Sequence, residues 1–318
     1  MRRTNSLPKH WLRRLWPITG AALLLALAFA AREGGGAPSA GLLSRLDWRE
    51  ESHEFGGVSG FAFQEDGRTF VAVSDRGFLF QGRLTRDADG RLTGAGLLAA
   101  ARLLDNFGAL ADGFKSDAEA VRIAADGSVL VAFESYARVA RITPPDMMPK
   151  PLHVWDRFRA LWGNAGIESL ALDDQGHILA ILERALPDGS YPTLAYRGGN
   201  EWVDGPALPS DGQFGATDAD FGPDGRLYVL ERSFSVLWGY RTRISAYTPD
   251  ANGFGPAEIV FLTGAGDWGD FEGMDVWTDP KGRMVATLVA DNNFLPLSPT
   301  TIAEFDLTAK TVQSVGGN

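Results

Sequence analysis

One pattern recurs five times along the 318 residues and limits the possible folds more than any other feature. A polar or acidic residue opens a short apolar segment, a turn with Gly follows, and a second apolar segment ends on an acid. The copies are GVSGFAFQEDGRTFVAVSDRG from Gly57, DAEAVRIAADGSVLVAFES from Asp117, GIESLALDDQGHILAILER from Gly166, TDADFGPDGRLYVLERS from Thr217 and DFEGMDVWTDPKGRMVATLVADNN from Asp270. Their opening polar residues, Ser59, Glu119, Glu168, Asp218 and Glu272, lie 60, 49, 50 and 54 residues apart. The turn glycines are Gly67, Gly127, Gly176, Gly225 and Gly282, and three of them follow Asp. Asp-Gly between apolar segments signals a β-hairpin, because the turn needs positive φ.

Further alternating segments follow each hairpin, such as LFQGRLTRD and LLAAARLL in the first copy. Four strands per repeat is the make-up of a propeller blade. The expected fold class is therefore all-β: a β-propeller of five four-stranded blades, about 55 residues each over 42–318, with six blades as the fallback. A β-sandwich would give the repeated opening acid no role. The last copy lacks a fourth segment, and LLSRLDWREE from Leu42 can supply it. The expectation is that this N-terminal strand closes the propeller and removes an exposed sheet edge.

Residues 1–14 are basic and polar, Leu15 to Ala31 are almost wholly apolar, and Ala28-Phe29-Ala30 fits a small-x-small cleavage pattern. Residues 1–31 read as a signal peptide or an uncleaved N-terminal membrane anchor, 32–41 as a flexible linker and 42–318 as the folded domain. This implies a periplasmic or secreted protein whose contact with a membrane, if any, is through that segment. The net charge is −10, and the first 30 residues hold five basic residues and no acid, so the remainder carries 25 basic against 40 acidic residues, or −15. Such a body suits cations and not nucleic acid, whose phosphates need clustered Lys and Arg. The absence of cysteine excludes disulfides, thiol catalysis and iron–sulfur clusters. With four His and no HExxH, a metal site must be built from oxygen.

An antiparallel hairpin returns to the end where it began, so each opening residue meets a closing one: Ser59 with Asp75, Glu119 with Glu134, Glu168 with Glu183, Asp218 with Glu231, Glu272 with Asp291. Innermost strands of a propeller line its channel, which predicts a ring of carboxylates at one mouth. Crowded carboxylates repel each other, and a bound cation relieves that cost. Ca²⁺ suits them, with Glu119, Glu168, Asp218, Glu272 and Asp291 as metal ligands. The alternative is that these acids cap strand ends. Arg76, Arg184 and Arg232 follow closing acids and are candidates to hold an anionic substrate, or else to pair with those acids.

GVSGFAF with SDRG, GIESLAL with LER, and DFEGMDVW with ADNNF resemble the phytase-like family, known by the label "esterase-like activity of phytase", over nearly all of 45–310. The resemblance implies an exported β-propeller with hydrolase-type activity. More distantly, the pattern is similar to calcium-dependent propeller lactonases and phytases, although the long acidic loop of true propeller phytases is missing. A serine nucleophile fits poorly: Gly57-Val58-Ser59-Gly60-Phe61 lacks the last Gly of GxSxG, and His177 should sit at the far end of its blade. The expected activity is metal-dependent hydrolysis of an ester or phosphoester in a small anionic or ester substrate. Glu168 and Glu272 are the candidates for ligand or general base, and the protein is expected to be monomeric. The rival reading is a non-catalytic ligand-binding or scaffold propeller of the cell envelope.

Overall fold

A computed structural model describes residues 41–308 except 65, 155–156, 164–165 and 293–297. The segment assigned to export (1–31) and nearly all of the linker lie outside the described residues, as do Asn293 and Phe294 of the ADNNF motif. The described chain is all-β, apart from single 3₁₀ turns at Gly113–Lys115 and Arg159–Leu161.

Strand β1 (Leu42–Trp48) comes first. Blade 1 is β2 (Val58–Phe63), β3 (Thr69–Ser74), β4 (Phe78–Arg86) and β5 (Leu92–Arg102). Blade 2 is β6 (Ala118–Ile123), β7 (Val129–Phe133), β8 (Arg138–Thr143) and β9 (Asp146–Pro151). Blade 3 is β10 (Ile167–Leu172), β11 (Ile178–Leu182), β13 (Thr193–Gly198) and β14 (Glu201–Asp204); a side ribbon pairs β12 (Ser190–Tyr191) with β15 (Leu208–Pro209). Blade 4 is β16 (Gly215–Phe221), β17 (Leu227–Ser235), β18 (Gly239–Tyr247) and β21 (Glu258–Leu262), with a ribbon of β19 (Pro249–Asp250) and β20 (Gly253–Phe254). Blade 5 is β22 (Asp270–Thr278), β23 (Met284–Asp291) and β24 (Thr300–Asp306), and β1 pairs antiparallel with β24 from Leu42–Phe305 to Trp48–Thr300.

Burial explains the strand chemistry. The second strand of each blade is covered by blades on both faces, so it reads as a continuous apolar run: TFVAVS in β3 and VLVAF in β7 are buried throughout. Further from the axis one face meets water, and β4 (FLFQGRLTR) alternates. Five hydrophobic clusters fill the five gaps between neighbouring blades, and the one between blades 5 and 1 joins Val289 and Ile302 to Phe61 and Phe70. The innermost strands pack in the closed order β2, β6, β10, β16, β22 and back to β2. Gly60 permits this contact: a Cβ there would lie 2.9 Å from both the Glu119 carbonyl oxygen and the Val121 nitrogen.

Candidate metal centre at the channel mouth

The same irregularity recurs in every blade. The ladder between first and second strands skips one residue between Val58 and Gly60, Ala118 and Ala120, Ile167 and Ser169, Ala216 and Asp218, and Phe271 and Gly273. The extra residues are Ser59, Glu119, Glu168, Thr217 and Glu272. A β-bulge re-aims a side chain away from the ordinary alternation. One step nearer the mouth, register pairs Gly57 with Asp75, Asp117 with Glu134, Gly166 with Glu183, Gly215 with Arg232 and Asp270 with Asp291. Three tiers of five positions thus surround one opening. Nine carboxylates occupy them (Asp75, Asp117, Glu119, Glu134, Glu168, Glu183, Asp270, Glu272 and Asp291), together with one guanidinium, Arg232.

The acids interact as a group. Carboxylate oxygens of Asp117, Glu119 and Glu134 lie within 4.8 Å of one another. Ser135 Oγ donates to Asp117 Oδ2. Burial, then the charges of Glu168 and Glu272, push the Glu119 carboxyl well above the usual carboxylate range. Glu168, 8% exposed, is raised by burial and by Glu134 and Glu183. Glu272 is raised by burial and by Asp270, with Arg232 opposing. Asp75 is pushed up to about 6 by burial and by Asp291 and Asp117. Its Oδ1 is buried without a hydrogen-bond partner.

Arg232 is the positive pole. It bonds Asp270 Oδ1 at 2.7 Å, donates to Glu272 Oε1, and lies 3.9 Å from Glu183. Arg184, exposed at the surface, contacts Glu183 at 3.3 Å. Arg76 lines a neighbouring cleft of about 420 Å³ with Arg49, His53 and Asn292. Glu119, Glu168, Glu272 and Asp291 therefore share the mouth with Arg232, while Arg76 and Arg184 stand outside the tiers.

Asp218 does not join them. Thr217 holds the bulge, and Asp218, fully buried, accepts the Met274 N–H at 2.8 Å and the Arg122 guanidinium at 2.8 Å. Glu231 is turned between blades 3 and 4, where Arg243 (2.6 Å) and the Tyr191 hydroxyl (2.8 Å) donate to it. The sequence TDADF offers acids at 218 and 220, and nothing in it marks which residue is the extra one. The strand register also brings in Asp117 and Asp270, neither of them among the metal ligands expected from the sequence, although Asp270 opens the oxygen-rich DFEGM segment. Both stand two residues before a bulge glutamate, a spacing that could have marked them.

Below the mouth, Arg122 of blade 2 spans the axis. It donates to the carbonyls of Phe61 in blade 1 (3.1 Å), Ala219 in blade 4 (3.1 Å) and Met274 in blade 5 (3.3 Å). Asp220 lies 3.6 Å from it, and Asp275 accepts the Phe63 N–H at 2.9 Å. Burial raises Asp218 to about 7 and Asp275 to about 8.

The serine alternative finds no support in the geometry. Ser59 Oγ donates to the Gly57 carbonyl at 3.2 Å, and His177 pairs with Asp173 in the turn between β10 and β11, at the opposite end of the blade.

The family model described as "Phytase-like: Esterase-like activity of phytase" matches residues 53–294. The chain belongs to this phytase-like family. No curated protein matches the sequence. Among solved structures, the chain is similar to a candidate gluconolactonase at 13% identity, covering 80% of this chain and 76% of that one, with a TM-score of 0.47. The PQQ-bound aldose sugar dehydrogenase of Streptomyces coelicolor (12% identity, 82% and 97% covered, TM-score 0.43) is another. Virginiamycin B lyase of Staphylococcus aureus is a third (10% identity, 82% and 98% covered, TM-score 0.41). At these values the likenesses say nothing of substrate or chemistry.

Proposed function

We propose that this phytase-like protein is an exported, metal-dependent hydrolase of ester or phosphoester bonds, with Ca²⁺ held at the channel mouth. The observation that carries the reading is the convergence of nine carboxylates from four blades, three of them with oxygens within 4.8 Å of one another. Raised carboxyls at Glu119, Glu168 and Glu272 mean that the ionised ring is electrostatically costly without a counter-charge. The donor set is hard oxygen, with no cysteine and with His177 at the far end, which fits Ca²⁺ better than zinc or copper. Asp117, Glu119 and Glu134 would hold the ion, and Ser135 fixes Asp117. A bound Ca²⁺ supplies Lewis-acid polarisation of an ester or phosphoryl oxygen. Arg232 places positive charge beside the acids, where it can hold an anionic group of the substrate. Glu168, whose carboxyl is raised by burial and by the charges of Glu134 and Glu183, is the candidate general base for an attacking water once a bound cation offsets that repulsion. Glu272, fastened by Arg232, orients that guanidinium.

The test is turnover of p-nitrophenyl esters, phosphate esters and lactones by the purified protein, with Ca²⁺ and with EDTA. Activity on one class, lost in EDTA and restored by Ca²⁺, is the expected result. Glu119→Gln should lower Ca²⁺ affinity by about tenfold or more, because it removes one anionic ligand. Tight Ca²⁺ binding without turnover of any class would leave a ligand-binding propeller in place of an enzyme.

A further inference from the structure

Next along the chain from Asp117 and Glu134 lies a corner of three aromatic rings. Tyr136 and Trp162 are 4.7 Å apart at 49°, Phe114 meets Tyr136 edge-on at 5.5 Å, and Phe114 to Trp162 is 6.5 Å at 71°. The corner is joined to the acids through the chain. Phe114 precedes Asp117 by three residues, and Tyr136 follows Glu134 by two. Ser135, between them, donates to Asp117, while its carbonyl accepts the Gly163 N–H at 3.0 Å next to Trp162. The 3₁₀ turn bearing Phe114 is fastened on both sides: Lys115 Nζ reaches Asp105 at 2.9 Å, and the Lys115 carbonyl accepts from Arg138 at 2.7 Å.

A fastened ring in a packed corner is normally covered, yet Phe114 is 54% exposed. Phe107 and Leu110, on the same connection between β5 and β6, are 88% and 60% exposed. Exposed apolar side chains gathered on one connection make it a candidate binding surface. The hairpin turns at the other end of the blades carry Asp, Arg and Lys instead, such as Asp66-Gly67-Arg68 and Asp224-Gly225-Arg226. Of the corner rings Phe114 is the exposed one, three residues from Asp117, while Trp162 is backed by the core between blades 2 and 3.

We propose that Phe114, Tyr136 and Trp162 form the subsite for an apolar acyl or aryl group of the substrate, whose anionic or carbonyl end lies over Asp117, Glu119 and Glu134. This assignment rests on the proposed hydrolysis at the mouth and adds the class of group recognised there. Edge-to-face rings at a corner grip a flat or extended apolar group on two sides.

Binding of phenylphosphonate and methylphosphonate, measured calorimetrically in Ca²⁺, tests the subsite together with the metal. Phenylphosphonate is expected to bind about tenfold more tightly than methylphosphonate. Trp162→Ala should abolish that difference while leaving methylphosphonate and Ca²⁺ affinities unchanged. Phe114→Ser, at an exposed ring, serves as the second variant should Trp162→Ala fail to fold. Neutral 2-naphthol in EDTA tests the corner alone, followed by tryptophan fluorescence. If Ca²⁺ does not bind but naphthol binds the native chain and not the variants, the corner stands and the metal-hydrolase reading falls. If naphthol does not bind, or binds native chain and variants alike, the subsite assignment is overturned whatever Ca²⁺ does.

Discussion

In blade 4 a guanidinium stands where the register of the other four blades puts a carboxylate. Arg232 offsets Asp270 and Glu272, but among the described residues no ion pair holds Glu119, and the imbalance makes stability depend on pH. Asp75, Glu119, Glu168 and Glu272 all have folded-state pKa values above their ordinary ones. Their protonated forms therefore favour the fold; that contribution is complete below the ordinary carboxylate range and is lost as pH rises through the folded-state values, for Asp75 between 3.8 and about 6. In EDTA the melting temperature should fall from pH 5 to pH 8. Ca²⁺ should restore it more at pH 8, because binding displaces protons. A melting temperature indifferent to pH in EDTA, or equal Ca²⁺ stabilisation at both values, would contradict this. Deeper in, Arg122→Met leaves Asp218, Asp220 and Asp275 without their cation. The expected loss is roughly 3–5 kcal/mol, read by denaturant unfolding; a loss below about 1 kcal/mol would show that the three acids do not need it.

The hairpin is the element that was legible. Alternation, Asp-Gly turns and the recurrence of an opening acid located every inner strand pair, because burial on two faces and a turn with positive φ each leave a mark on residue type. All five turn glycines, Gly67, Gly127, Gly176, Gly225 and Gly282, have φ between 58° and 84°. The bulge was not legible. It is a backbone irregularity that glutamate, serine and threonine all occupy, and in blade 4 two nearby aspartates hide it. Hence the opening acids Glu119, Glu168 and Glu272 coincide with bulge residues, whereas Thr217 and Asp117 appear only through the register. Two glycine substitutions separate the demands on this element. Gly225→Ala meets open space, and its φ of 75° should cost about 1–2 kcal/mol without touching the mouth. Gly60→Ala meets backbone of β6 at 2.9 Å and should both destabilise the fold and weaken Ca²⁺ binding, since Glu119 must move. Unchanged Ca²⁺ affinity in a folded Gly60→Ala protein would count against the role given to this strand contact.

At the scale of the whole molecule, the first and last described strands share one sheet. β1 covers β24, and Trp48, 2% exposed, sits in the core between blades 5 and 1. Removing residues 41–48 should uncover the β24 edge and open that core, lowering the melting temperature and promoting aggregation. A truncated chain that melts with the full-length protein and aggregates no more than it does would show that the sheet does not need it. The two ends of the blades also differ in character: charged turns at one, and at the other the carboxylate tiers and the 3₁₀ turn that carries the exposed Phe114. Arg122, buried under those tiers and bonded to backbone of blades 1, 4 and 5, closes the axis there to anything entering from the mouth. Under the proposed hydrolysis, substrate and product would share one doorway: a spent product would have to back out before the next molecule entered, and an anionic product lingering beside Arg232 would obstruct its own successor.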